Sequence, residues 1–108
     1  MKPIWSFRAQ QDMINVGEYL AKDKDKDNLS AALGMLKRIE ERVAKAADAP
    51  LTGRVVPEFG NPEIREFIVG NYRIVYRVGK ATKGQMVILT VFEGHRLFPS
   101  DVGETGEP

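Results

Sequence analysis

The segment Asn71–Val78, NYRIVYRV, sets two arginines among apolar residues on what reads as a central strand. Guanidinium forks bind phosphate and carboxylate bidentately, so clustered arginines are the first chemistry to look for. Arg65, Arg73, Arg77 and Arg96 lie in or beside the segments of strand period, and Arg54 precedes them. Alternate residues of a strand point to opposite faces. Tyr72, Ile74, Tyr76 and Val78 therefore make one apolar row, and Arg73, Val75 and Arg77 share the other face. Arg73 and Arg96 converge if the last two strands pair across the Gly79–Gly84 turn. Three readings of this face stand open: a solvated surface, internal pairing with Glu58, Glu66 or Glu93, or a surface for an anionic or acidic partner.

Little else in the chain offers chemistry. His95, in Glu93-Gly94-His95-Arg96, is the sole histidine, and cysteine is absent. A zinc site of the usual His/Cys kind is therefore excluded, as are disulfides and thiolate catalysis. No metal and no cofactor are expected. As a general base His95 needs an orienting carboxylate, and Glu93 is its near neighbour in sequence. No Gly-rich phosphate loop, nucleophile elbow or paired-carboxylate spacing occurs. Phe67, Tyr72 and Tyr76 could stack on bases, but their alternation suits a core.

The net charge is only +1, unevenly spread. Residues 1–51 carry nine basic and eight acidic side chains, and residues 52–98 carry seven against four. The tail from Ser100 adds Asp101, Glu104 and Glu107 and no base. The strand-rich half is mildly basic, which hints at an acidic partner but falls short of a nucleic-acid footprint. At 108 residues the chain fits one domain, with residues 1–99 as its body and 100–108 as an acidic, disordered tail. No apolar run reaches the ~20 residues of a membrane span, and MKPIWSFRAQ lacks a signal peptide's apolar core. A cytoplasmic protein with no membrane contact is expected.

The elements that must position these residues follow from period. Pro3–Phe7 reads as an edge strand, where proline is tolerated, and Ser6 can cap a helix. Ala9, Met13, Val16 and Leu20 form its buried stripe; Gly17 costs helix stability unless a second helix approaches closely there. Lys22–Asp27, KDKDKD, reads as a solvated linker rather than a metal or phosphate site. In the next helix Leu29, Ala32, Leu33, Leu36, Ile39, Val43 and Ala47 form one stripe, ended by Pro50 and Gly53. After a loop over residues 50–62 come three strands, Glu63–Val69, Tyr72–Val78 and Gln85–Glu93, joined by short turns. The sum is α+β: an N-terminal edge strand and an antiparallel two-helix hairpin packed on a small, curled antiparallel sheet.

The ordered set of Ala9, Asp12-Met13, Val16, Tyr19-Leu20, Pro50-Leu51-Thr52-Gly53-Arg54, Pro57-Glu58-Phe59, Arg65-Glu66-Phe67, Tyr72-Arg73-Ile74-Val75-Tyr76-Arg77 and Gly94-His95-Arg96 resembles the RelE/ParE superfamily of bacterial type II toxins. Within it the ParE-like branch fits better. The resemblance implies a plasmid-stabilization type of system, in which a cognate antitoxin, ParD-like or another small DNA-binding protein, wraps and neutralises the toxin. For ParE-like members it implies DNA gyrase as the target and no enzymatic activity; for RelE-like members, cutting of mRNA on the ribosome. RelE-type ribonucleases carry lysines on the strand before the Tyr-Arg motif and an acid–base residue near the C-terminus. Here the strand reads Ile64-Arg65-Glu66-Phe67-Ile68, and Leu97–Val102 has neither tyrosine nor histidine. A ribonuclease would have to rely on Arg73, Arg96 and His95. On the partner reading, Arg54, Arg65, Arg73, Arg77 and Arg96 are the anion-binding set. A non-toxic interaction domain is the third reading.

Overall fold

The structure, a computed structural model, describes residues 1–22 and 26–102. Residues 23–25 of the expected charged linker and 103–108 of the expected tail lie outside the described residues. The chain begins with strand β1 (Ile4–Trp5), followed by helices α1 (Phe7–Leu20) and α2 (Lys26–Ala47). Ser6 caps α1 as its position suggests: its Oγ accepts the Ala9 N–H at 3.0 Å, and its hydroxyl donates to the Leu89 carbonyl at 3.2 Å. One side chain thus starts the helix and fastens it to the sheet. Gly17 is where the helices approach, since a Cβ there would stand 3.1 Å from Leu36 Cδ1.

Strands β2 (Arg54–Val55), β3 (Ile64–Val69), β4 (Tyr72–Arg77) and β5 (Val87–Glu93) complete one five-stranded sheet, ordered β1-β5-β4-β3-β2. The expected meander is β3–β4–β5, all antiparallel. Two short strands extend it. β1 runs parallel to β5, with Ile4 opposite Val87, which makes the sheet mixed. The reason is local: β1 leads directly into α1, α1 packs over β5, and so β1 is laid along that strand's free edge. β2 pairs Arg54 with Glu66 and Val55 with Arg65 inside what period alone reads as loop. Two residues carry no period to read.

The sheet is covered on both faces. Between helices and sheet, Ile39, Val43, Tyr72, Ile74 and Tyr76 share a core with Ala9 and Val16, and Leu36 packs against it. On the far face Val56, Ile64, Val75, Val87, Leu89 and Phe92 form a second cluster, closed by Phe59, Phe98 and Val102. Phe98 stands edge-on to Phe59 and Phe92, with centroids 5.2 and 5.3 Å away. The face that carries Arg73, Val75 and Arg77 is therefore no solvated surface: Val75 is fully buried and Arg73 is 8% exposed. From the expected tail, Asp101 pairs with Arg8 and Val102 belongs to the second cluster's cover.

Candidate functional site

The strand arginines are mostly engaged within the chain. Arg73 donates from Nε to Glu66 at 2.6 Å and from both Nη atoms to the two Glu58 oxygens at 2.9 Å. Its guanidinium also lies over the rings of Phe92 and Phe98 at 5.2 and 5.4 Å. Glu66 is buried and accepts a second arginine, Arg54, at 2.7 Å. Arg77 reaches one oxygen of Glu63 at 3.3 Å, while the other oxygen accepts the Lys80 N–H at 3.2 Å. Arg65 donates to the carbonyls of Gly53 and Leu51 at 2.9 and 3.3 Å. Glu58 and Glu66 thus supply the internal pairing, but Glu93 does not.

These contacts shift the titrations as expected for paired charges. Glu58 is held below the usual carboxylate range chiefly by its hydrogen bonds from Arg73, and Arg73 is raised chiefly by the same bonds against the cost of burial. Glu63 is lowered first by the Lys80 backbone N–H and then by Arg77.

Arg73, His95 and Arg96 do not form a site. Arg73 sits beneath Phe98 on the face away from the helices. Arg96 is exposed and lines a cleft on the helix side. His95 has an 86% exposed side chain, and its Nδ1 lies 2.5 Å from Glu93 Oε1. That oxygen also accepts the His95 backbone N–H at 3.1 Å, and the His95 contacts draw Glu93 below its ordinary value. The arrangement is a surface turn closed on itself.

The cleft, of about 500 Å³, lies between α1 and the ends of β4 and β5. Asn15, Tyr19, Tyr72 and Arg96 line its mouth together with Glu93. Burial raises the Tyr72 phenol. At one side Asp12 points from the apolar stripe of α1 into the sheet. It accepts the Thr90 hydroxyl at 2.5 Å, the Val91 N–H at 3.0 Å and Arg8 Nε at 3.0 Å. Motif reading passes over this role, although a carboxylate set between Ala9 and Val16 on the stripe is the signal for it. The hairpin leaves apolar side chains exposed: Phe7, Ile14 and Tyr19 on α1, of which Tyr19 lines the cleft, and Leu29 and Leu33 on α2. The period of α2 assigns Leu29 and Leu33 to the core. Leu29 precedes the buried set, which runs from Ala32 to Ala47, and Leu33 is turned away from the side that Ala32, Ile39 and Val43 bury.

Among the described residues no group of three or more His, Asp or Glu side chains could hold a metal, and no helix is long and apolar enough to cross a membrane. The architecture is a two-helix hairpin on a small mixed sheet, and sequence comparison supplies the family. Residues 4–98 match the family described as the ParE toxin of type II toxin–antitoxin system, parDE. The chain belongs to that family and is a ParE-type toxin of a type II toxin–antitoxin system. Its fold is similar to that of a chain in the chromosomal ParDE system from P. aeruginosa, with a TM-score of 0.67 at 18% identity, over 86% of this chain and 95% of that one. No curated protein matches it in sequence.

Proposed function

We propose that this toxin acts by poisoning DNA gyrase rather than by cutting RNA, and that a cognate antitoxin holds it inactive by covering the helical hairpin. The observation that carries the choice of target is the state of Arg73. An arginine that receives a scissile phosphate needs free donors, whereas Nε and both Nη atoms of Arg73 already serve Glu66 and Glu58. Freeing them would leave the buried Glu66 carboxylate with only the solvent-exposed Arg54, which is unfavourable. A ribonuclease also needs a base beside the arginines to take the 2′-hydroxyl proton. His95, the one candidate, is turned to solvent against Glu93.

The antitoxin half of the proposal rests on the surface. Exposed Ile14, Tyr19, Leu29 and Leu33 offer apolar contacts to an amphipathic segment that folds on binding. Arg96 at the cleft mouth suits a carboxylate of that segment. Because Arg73 and Arg77 are paired with carboxylates of the chain itself, the acids of the partner meet Arg96 rather than those two. The test is induced expression with and without the adjacent antitoxin gene. Colony loss and trapped gyrase–DNA complexes that the antitoxin relieves are expected. Codon-phased cuts in a translated message would move the target to the ribosome, and undiminished survival would make the chain a non-toxic interaction domain.

A further inference from the structure

The geometry points to a second docking surface, at the open edge of β3 beside α2, for an extended protein segment that alternates acidic and apolar residues. β2 covers β3 only at Arg65 and Glu66. Continuing that register would set Thr52 opposite Ile68, but Thr52 turns away into a one-turn 3₁₀ helix, its N–H and hydroxyl both bonded to the Ala49 carbonyl. The direction of the free backbone groups follows from the neighbours. Val78 N–H donates to Glu63 towards β4, and Val56 N–H donates to Ile64 on the β2 side. By the alternation of an antiparallel ladder, Glu66 and Ile68 also face the β2 side. The N–H and C=O of Ile68 therefore point from the sheet edge with no strand opposite, among the described residues.

Such an edge is a template for strand addition. Its surroundings select what is added. On the helix side, Arg38, Arg42 and Lys45 border a groove of about 340 Å³ that reaches Ile68 and Gly70. Arg42 is anchored over the Phe67 ring at 4.5 Å. Glu41, the carboxylate of the same groove, is turned to Lys37 at 3.9 Å. The opposite face of the edge presents the Ile68 side chain, 58% exposed. Successive side chains of an added strand would fall by turns near the cations and near Ile68, which calls for acid and apolar residues in alternation. A second copy of this chain is a poor occupant, because edge-to-edge pairing would bring two cationic triplets together; lysine and arginine commonly guard edges in this way.

The experiment uses the full chain and a fluorescein-labelled seven-residue peptide alternating glutamate and valine. Controls are a peptide of the same composition in two blocks and an alternating lysine–valine peptide. Anisotropy reports binding, and amide hydrogen exchange reports protection at Ile68. Ile68→Pro deletes the outward N–H without removing a bond to β4, and Arg38→Ala with Lys45→Ala removes the charge. The alternating acidic peptide should bind, protect the Ile68 amide, and weaken by about tenfold with either change, the first removing a backbone hydrogen bond and the second two cations. No binding, equal binding of the block peptide, or indifference to both changes would overturn the proposal. Self-association abolished by Ile68→Pro would assign the edge to a second copy instead. Binding of a DNA duplex that needs Arg38 and Lys45 but ignores Ile68→Pro would assign the groove to nucleic acid. If Ile68→Pro fails to fold by circular dichroism, protection of Ile68 in the unaltered chain decides.

Discussion

Arg73→Ala separates a structural arginine from a functional one. Arg73 and Glu66 are a nearly buried pair, with side-chain exposures of 10% and 0% and an N···O distance of 2.6 Å. Removing one partner of such a pair costs about 3–5 kcal/mol, because the remaining carboxylate stays buried without its counter-charge. Two corrections largely offset each other. Arg54 remains on Glu66 at 2.7 Å and tempers the loss, but it is 61% exposed and screened by solvent. The stacking on Phe92 and Phe98 is lost as well, at roughly 0.5–2 kcal/mol. The Glu58 contact adds little, since that side chain is 39% exposed. A net loss of about 3–5 kcal/mol corresponds to roughly 12–20 °C in the thermal midpoint of a domain this size. Urea unfolding and calorimetry measure it, and pairing Arg73→Met with Glu66→Leu should restore most of the stability. The reasoning fails if Arg73→Ala stays within about 1 kcal/mol of the parent while toxicity disappears. That pattern would mean the guanidinium serves a partner and its carboxylates are bystanders.

Three further outcomes are expected. His95→Ala should leave killing unchanged and RNA uncut in both forms; primer extension on a translated message checks this, since loss of a general acid or base would slow a nuclease about 10²–10⁴-fold. Asp12→Ala should destabilise by about 2–4 kcal/mol in urea unfolding, because it strips the acceptor from Thr90, the Val91 N–H and Arg8 at once. Stability should be level from neutral pH to about 5 and fall below about 4.5: Glu58 is lowered by Arg73 from its ordinary 4.5, so its contribution is present above the unfolded value and lost as pH drops through the folded one. A pH series of thermal midpoints should show this acid limb, shallower in Arg73→Ala.

Local chemistry was legible in the sequence. Ser6 before an apolar period predicts a cap, and Gly17 in a helix predicts a close neighbour; both features are found. The three long strands show through alternation and turn residues. What stayed hidden depends on contacts between residues far apart in the chain. The sequence leaves three readings of Arg73 open, and the choice among them falls only when Glu58, fifteen residues earlier, is folded against it. The second core is completed by Val56, Phe59 and Phe98, which lie outside the long strands and share no period. One signal was available: Val87–Phe92 is apolar at nearly every position, the mark of a strand buried on both faces. Read with Val75 between two arginines, it argues for a covered face. Asp12 gave a similar sign by standing on an apolar stripe.

A common logic places the charges of this fold. At three joints of the fold a carboxylate holds a segment in place. Asp12 ties α1 to β5 through Thr90 and Val91. Glu58 joins the loop after β2 to Arg73 on β4, under the cover of Phe98. Glu63 holds the end of β4 and the following turn through Arg77 and the Lys80 N–H. In a small domain with thin layers, such joints fix segments that bury too little apolar surface to hold themselves. Charge spent on these joints is not presented to a partner. Arg73 and Arg77, the arginines that draw the eye in β4, are consequently little available, whereas Arg96 at the cleft and Arg38 and Lys45 on α2 are exposed beside surfaces a partner can meet. Two surfaces follow, one apolar beside the cleft that Arg8 and Arg96 line and one cationic along an open strand edge. They differ enough in chemistry that one binding segment would have to change character to cover both.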